Sequence, residues 1–267
     1  SGGWLSSDEI GAVTYLQTLG VTQTPQQQQG TNGTNGNTGG LAALMAKSRL
    51  TPEEIAKARP LIEQLPAAQK RANWLDLQAK TEYQNQRDNQ GADEEKTGGT
   101  CNLTSLAMCL EYLGISNPHP GIQYDEALVK IANDNKYGDI TYASTWEKVA
   151  KHCGAKMITI ISGDQKVART KWEKTVRDEH LAVGHSVLCS IVGHIVRVQA
   201  VDDQGIVVDN PYGLETIGAG TDHKWIRTNS GKNGWGAGNK SNEGEDNSWP
   251  WSDVESHTFR SILAFSK

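Results

Sequence analysis

Apolar residues in the run CNLTSLAMCLEYLG recur three and four positions apart, at Leu103, Leu106, Ala107, Leu110 and Leu113, with Gly114 where a helix would stop. This spacing predicts a buried helix that opens at Cys101. Ser144 and Glu147 form a capping pair for a second helix, which carries Trp146, Val149, Ala150 and Cys153 and ends at Gly154. The strand-like MITII follows, and residues 166–181 predict a third helix. Four later runs, SVLCSIV, HIVRVQAV, GIVVDN and TFRSILAF, are rich in β-branched and apolar residues and predict strands. Helices first and strands afterwards make residues 84–267 an α+β domain, with helices packed on an antiparallel sheet.

Upstream, Thr51-Pro52-Glu53-Glu54 supplies an N-cap, a proline at the first helical position and a Glu three residues after the cap. Leu61, Ile62 and Leu65 continue that helix, and Trp74, Leu75 and Leu77 resume the pattern after Pro60 and Pro66, which predict kinks or a break. Residues 41–83 therefore read as a helical arm. The segment 22–40, TQTPQQQQGTNGTNGNTGG, holds no apolar side chain larger than a proline ring. It cannot bury enough surface to offset the entropy of ordering, and a flexible linker is expected. Residues 1–21 place Ile10, Val13, Leu16 and Leu19 at helical spacing, in a short segment too small to fold alone.

Residues 215–251 show little strand or helix pattern, yet hold Trp225, Trp235, Trp249 and Trp251. A long loop of that kind inside a domain is usually functional or disordered, and its aromatic content favours a substrate-facing loop, with Trp225 and Trp235 as binding residues.

Charge narrows the function classes. The chain has 26 Lys and Arg against 31 Asp and Glu, a net charge of −5, which argues against nucleic acid as a partner. No stretch approaches the roughly 20 apolar residues of a membrane span. The opening SGGWLSSDEI lacks the basic and apolar regions of a signal peptide, so a soluble protein made in the cytoplasm without a signal peptide is expected.

Of the four cysteines, Cys109, Cys153 and Cys189 sit among apolar residues as small hydrophobes, and no spacing among Cys or His suggests a metal. Cys101 differs. It opens a helix behind Thr97-Gly98-Gly99-Thr100, where the positive end of the helix dipole favours thiolate and Gly99 lets a substrate carbonyl approach. A thiolate nucleophile needs a histidine, and that histidine needs a group to fix its tautomer. His194 heads the strand IVRVQAV, and the turn at Asp202-Asp203-Gln204-Gly205 returns Asp209 and Asn210 toward it. A register with residue 210 opposite His194 centres that turn on Asp202, which favours Asn210 over Asp209. The stretch YQNQRDNQ offers side-chain amides for an oxyanion hole.

The run QRDNQ, then GGTCNLTSLAMCLEYLG, then GHIVRVQAVDDQGIVVDNPYG resembles the bacteriocin-processing (double-glycine) branch of the papain-like cysteine peptidases, seen also in phage and secretion-associated cell-wall hydrolases. The likeness covers about residues 83–215 and implies a papain-like fold. By that resemblance Cys101 is the nucleophile, His194 the general acid/base and Gln86 the oxyanion amide, with Gln84 and Gln90 as alternatives. The third member corresponds to Asn210, with Asp209 as the alternative, a departure from the usual Asp before Pro. The resemblance implies a peptidoglycan peptidase or amidase that needs no cofactor, delivered to the periplasm or cell wall by a secretion apparatus or phage particle, with an immunity or carrier protein as a partner. Two rivals stand beside it. One is a protein peptidase cutting after Gly-Gly, including its own Gly39-Gly40; the other is a noncatalytic module on the same fold.

Overall fold

The structure is a computed structural model that describes residues 35–86, 89, 100–227 and 244–267. The segment expected at 1–21, the linker as far as residue 34, and the positions of Gln90, Gly99 and Trp235 lie outside the described residues. Residues 36–267 form one compact unit.

Helix α1 (Asn35–Met45) takes in residues 35–40, which composition assigned to the linker. The next helix starts for the reason its sequence supplies. The Thr51 hydroxyl accepts the Glu54 N–H at 3.3 Å, and the Glu54 carboxylate accepts the Thr51 N–H at 3.1 Å. This helix, α2 (Pro52–Glu63), runs through Pro60 without ending there, and Pro66 becomes the N-cap of α3 (Ala67–Gln78). Ile55, Ala58, Ile62, Trp74 and Leu77 share one buried core with Leu103, Leu106 and Leu110. The segment read as an arm is thus packed into the same body as the domain drawn from residue 84. Arg59 fastens it, donating to the Tyr112 and Gly184 carbonyls at 3.2 and 2.9 Å with its guanidinium over the Trp74 ring.

Helix α4 (Cys101–Tyr112) is buried on every side from Asn102 onward. Helices α5 (Tyr124–Asp134) and α6 (Ala143–His152) cover one flank and the sheet covers another. A helix enclosed this way needs partners for its polar groups. The Thr104 hydroxyl meets the Asp125 carboxyl at 2.7 Å, and Ser105 Oγ donates to the Ile195 carbonyl at 3.1 Å. Gly114 ends the helix at φ +69°, and a Cβ there would stand 2.8 Å from the Ala56 backbone, so α2 can cross at this point only over a glycine.

Among the described residues eight strands follow: β1 (Lys156–Lys166), β2 (Ser186–Ile191), β3 (His194–Val201), β4 (Gly205–Asp209), β5 (Leu214–Ile217), β6 (His223–Arg227), β7 (Asn247–Pro250) and β8 (Thr258–Ser266). Six form an antiparallel sheet in the order β1-β8-β2-β3-β4-β7, and β5 pairs with β6 separately. Side chains alternate across the sheet. Leu188, Ile195, Leu263 and Phe265 face the helices, while Val187, Cys189, Val196, Val198, Ile262 and Ala264 face a second core. That core is closed by Trp172 and Val176, from a helical stretch that begins at Arg169–Lys171 and continues as a π-helix over Trp172–His180. The helix read over 166–181 is therefore present but wider-wound and later in onset.

Residues 215–251 are not a patternless loop throughout. They contain most of β5, all of β6 and all of β7, and Trp249 and Trp251 are core residues. β5 and β6 pair with each other as a local hairpin, whereas β7 pairs with β4 from far back in the chain, which local pattern does not report.

Candidate active site

The β2–β3 hairpin places His194. Ile191 pairs with His194, so the loop between them is only Val192 and Gly193, with Gly193 at φ +83°. His194 is thus the first residue of β3, and it is buried. Cys101 and Ser105, one turn apart on α4, both face Ile195. Ser105 Oγ bonds its carbonyl, and its N–H points at the Cys101 sulfur. The cysteine therefore docks on the residue adjoining His194.

Asn210 and Asp209 go to different partners. Asp209 lies directly across from Arg197 in the β3–β4 ladder, so the two side chains share the helix-facing side and form a buried ion pair. Arg197 also donates to the backbone and side-chain oxygens of Gln78, each at 2.8 Å. Asn210 instead brings Oδ1 to 2.8 Å from His194 Nε2. The structure brings Asn210, not Asp209, to the imidazole. It does so by a route the expected register did not contain. Val201 pairs with Ile206, a bulge interrupts the ladder between Val198 and Ala200, and β4 ends at Asp209. Asn210 reaches His194 as the first residue beyond the strand, not as its cross-strand partner. Its N–H donates to the Gly244 carbonyl at 2.8 Å, and its own carbonyl accepts the Tyr83 hydroxyl at 2.7 Å.

An amide oxygen can only accept, so Nε2 of His194 carries the proton and Nδ1 keeps its lone pair. Burial holds the imidazole down to about 4, opposed by the Asn210 hydrogen bond. Burial also pushes the Cys101 thiol up to about 11, against the pull of the N–H groups of Ile195, Asn102 and Cys101 itself. Both groups are neutral at pH 7 in this closed arrangement. The helix end expected to hold a thiolate holds a thiol, because desolvation outweighs the N–H dipoles.

Trp225 stands edge-on to His194, with ring centroids 5.0 Å apart, and packs on Tyr212 at 4.4 Å. Behind Asn210 lies Glu215, fully buried, whose Oε2 accepts from Asn210 Nδ2 at 2.9 Å and whose Oε1 meets His223 Nδ1. Burial pushes the Glu215 carboxyl up to about 7, opposed by His223 and Asn210. Sequence reading missed Tyr212, Glu215 and His223. A signal existed in the spacing of His223 and Trp225, two apart on one strand face, with Glu215 opposite Trp225 on β5.

Gln86 is buried and its N–H donates to the Pro211 carbonyl at 3.0 Å, beside Asn210. Gln84 is removed from the candidates for the oxyanion. Its amide donates to Glu111 Oε1 at 3.0 Å, and Glu111 lies roughly 15 Å along α4 from Cys101 by helix rise.

A profile described as the Peptidase_C39 like family matches residues 78–236, more than half of the 267 residues. The chain belongs to this family. Membership makes it a cysteine peptidase by family, and its helices on an antiparallel sheet are consistent with a C39-like fold. The matched range contains Gln86, Cys101, His194, Asn210 and Glu215. No curated protein and no solved structure matches the chain. Among the described residues no helix is long and apolar enough to cross a membrane, and no group of His, Cys, Asp or Glu is set to hold a metal ion.

Proposed function

We propose that this C39-like protein hydrolyses amide bonds in bacterial cell-wall peptides through a thioacyl intermediate on Cys101. The observation that carries the proposal is the His194 Nε2 to Asn210 Oδ1 bond of 2.8 Å at the strand end on which Cys101 docks. Nδ1 of His194 takes the thiol proton as sulfur attacks the carbonyl carbon. The Cys101 N–H and the Gln86 amide hold the oxyanion. The C–N bond breaks as His194 returns the proton to the leaving amine. Water, deprotonated by the same imidazole, then releases the acid and regenerates the thiol. Trp225 keeps water off the His194–Asn210 bond while a substrate is bound, and Gly99 and Trp235 complete the substrate-binding set. Neutral thiol and neutral imidazole favour proton transfer during attack over a preformed ion pair.

Peptidoglycan as the substrate rests on the resemblance to phage and secretion-associated hydrolases. Delivery to the periplasm or cell wall by such an apparatus, and an immunity or carrier partner, belong to the same reading. Self-processing gains no support, because Gly39 and Gly40 fall within α1 and a helical backbone does not offer an extended scissile bond. The test is mass analysis of purified peptidoglycan fragments and of a synthetic Gly-Gly peptide, each incubated with wild type and Cys101→Ala. New muropeptide products with wild type alone are expected. Cleavage of the Gly-Gly peptide alone, or equal cleavage by both proteins, would overturn the proposal.

A further inference from the structure

The orientation of Asn210 is decided by two neighbours that cannot exchange roles. On one side the Tyr212 backbone N–H donates to Oδ1 at 3.0 Å, and a backbone N–H can never accept. On the other side Glu215 Oε2 accepts from Nδ2 at 2.9 Å. Rotating the amide by half a turn would set Nδ2 against the Tyr212 N–H and against His194 Nε2–H, and would set Oδ1 against the carboxylate. Every contact would become donor against donor or acceptor against acceptor.

Glu215 is itself held. Its side chain is fully buried, and its other oxygen is engaged by His223 from the paired strand β6. Its backbone carbonyl accepts Asn247 Nδ2 and Trp249 Nε1, both at 2.9 Å, which ties β5 to β7. A continuous chain of hydrogen bonds therefore runs from His194 through Asn210 and Glu215 to His223. A carboxylate placed here does not help the thiolate. Its charge pushes the Cys101 thiol further up. Its contribution lies in what it does to the amide.

We propose that Glu215, braced by His223, is a positioning residue that locks the Asn210 amide with Oδ1 toward His194, and so sets the imidazole tautomer whose Nδ1 takes the Cys101 proton. This rests on the Cys101–His194–Asn210 reading above and extends it by one buried carboxylate on a strand that is otherwise remote from the thiol in sequence. Glu215 touches no reacting atom, and its hold on the imidazole passes through Asn210. Without Glu215 only the Tyr212 N–H holds the amide, and in the fraction that flips Nε2 faces a donor and the proton moves to Nδ1, the nitrogen that has to be free. A misdirected base of this kind lowers reactivity roughly tenfold to a hundredfold.

The test needs no substrate. Full-length protein is treated with iodoacetamide at pH 7, and carboxamidomethylation of Cys101 is timed by peptide mass mapping in wild type, Cys101→Ala, Asn210→Ala, Glu215→Leu, Glu215→Gln and Asn210→Ala with Glu215→Leu. Thermal unfolding of each is recorded in parallel. Asn210→Ala and Glu215→Leu are each expected to slow the reaction about tenfold or more, and the double variant no further, because both remove the same constraint. Glu215→Gln retains an oxygen for Asn210 Nδ2 and is expected to recover most of what Glu215→Leu loses. Multiplying losses in the double variant, or a Glu215→Leu rate equal to wild type, would overturn the proposal. So would a Glu215→Gln loss equal to that of Glu215→Leu.

Should Glu215→Leu lose its cooperative unfolding, Asn210→Asp carries the test instead. Alone it sets two carboxylates face to face and slows the reaction. Paired with Glu215→Gln, whose amide can donate to the new carboxylate, it is expected to regain at least a fivefold share of the rate. Absence of that recovery would count against Glu215. If Asn210→Ala itself reacts as fast as wild type, the underlying reading of His194 and Asn210 fails. That outcome is distinct from failure of Glu215 alone.

Discussion

Replacing Asp209 and replacing Asn210, neighbours in the chain, should damage different properties of the protein. Asp209→Ala leaves the Arg197 guanidinium buried without its carboxylate, both side chains being almost wholly enclosed, at 0 % and 3 % exposure. Breaking a buried pair by removing one partner costs about 3–5 kcal/mol. Arg197 keeps two Gln78 oxygens at 2.8 Å and the Ser186 hydroxyl at 3.4 Å, which places the cost near the lower figure, about 3 kcal/mol. For a folded unit of this size each kcal/mol moves the midpoint by about 2–4 °C, so a fall of roughly 6–12 °C is expected. Iodoacetamide labelling of Cys101 at 20 °C should stay within about twofold of wild type, because Asp209 pairs with Arg197 and it is Asn210 that bonds His194. Asn210→Ala should do the reverse. It gives up hydrogen bonds worth about 1–2 kcal/mol of stability, and it slows labelling at least tenfold by freeing the imidazole. Circular dichroism melts and labelling rates on the same samples decide the matter. An Asp209→Ala protein that melts like wild type but labels as slowly as Asn210→Ala would refute the assignment of the two residues.

Trp225→Ala removes the ring packed edge-on against His194, and kcat/KM on the cleaved muropeptide should fall roughly tenfold as water gains access to the His194–Asn210 hydrogen bond; unchanged kcat/KM would remove Trp225 from the site. Gly114→Ala places a methyl group 2.8 Å from the Ala56 backbone at a positive φ, so urea unfolding should show a loss of about 3 kcal/mol; a loss below 1 kcal/mol would mean that α2 shifts freely. Glu111 is a buried carboxyl pushed from 4.5 up to about 8 by burial. The native state therefore binds its proton more tightly than the unfolded state, and stability is full below pH 4.5 and is lost as pH rises toward 8. Glu111→Gln should flatten that decline, leaving the variant more stable than wild type by a few kcal/mol above pH 8; parallel stability curves for the two proteins would contradict this.

Most helices and strands could be read from local pattern because their signals are local. The α2 capping box and the α4 spacing with its glycine stop are written within a dozen residues. The bury-both-faces strands β2 and β3 declare themselves by composition. What escaped was decided by distant contacts. The enclosure of α2 and α3 in the main core depends on Arg59, Trp74 and Gln78 meeting residues more than thirty positions away. The strands β5, β6 and β7 are short and hold together through Glu215, Asn247 and Trp249, none of which alternates visibly in sequence. At the site, the spacing of His194 and Asn210 was legible, but the reason for preferring Asn210 was not. A bulge and an early strand end bring Asn210 to the imidazole, where a simple hairpin register had been expected to do so. Thiolate at Cys101 was a fair inference from a helix start. Burial reverses it, and burial depends on the finished fold.

The base assigned to Cys101 is best tested by the pH–rate profile of its alkylation between pH 5 and 8, in wild type and in His194→Ala. With the imidazole held at about 4, His194 is a free base over this whole range and should accept the thiol proton equally well throughout. The wild-type rate should therefore be nearly flat, and at least tenfold above the variant at pH 7. In His194→Ala only pre-ionised thiol can react, and a thiol at about 11 ionises about tenfold more for each pH unit, so the rate should climb with that slope. Identical rates and slopes in the two proteins would show that His194 does not serve Cys101.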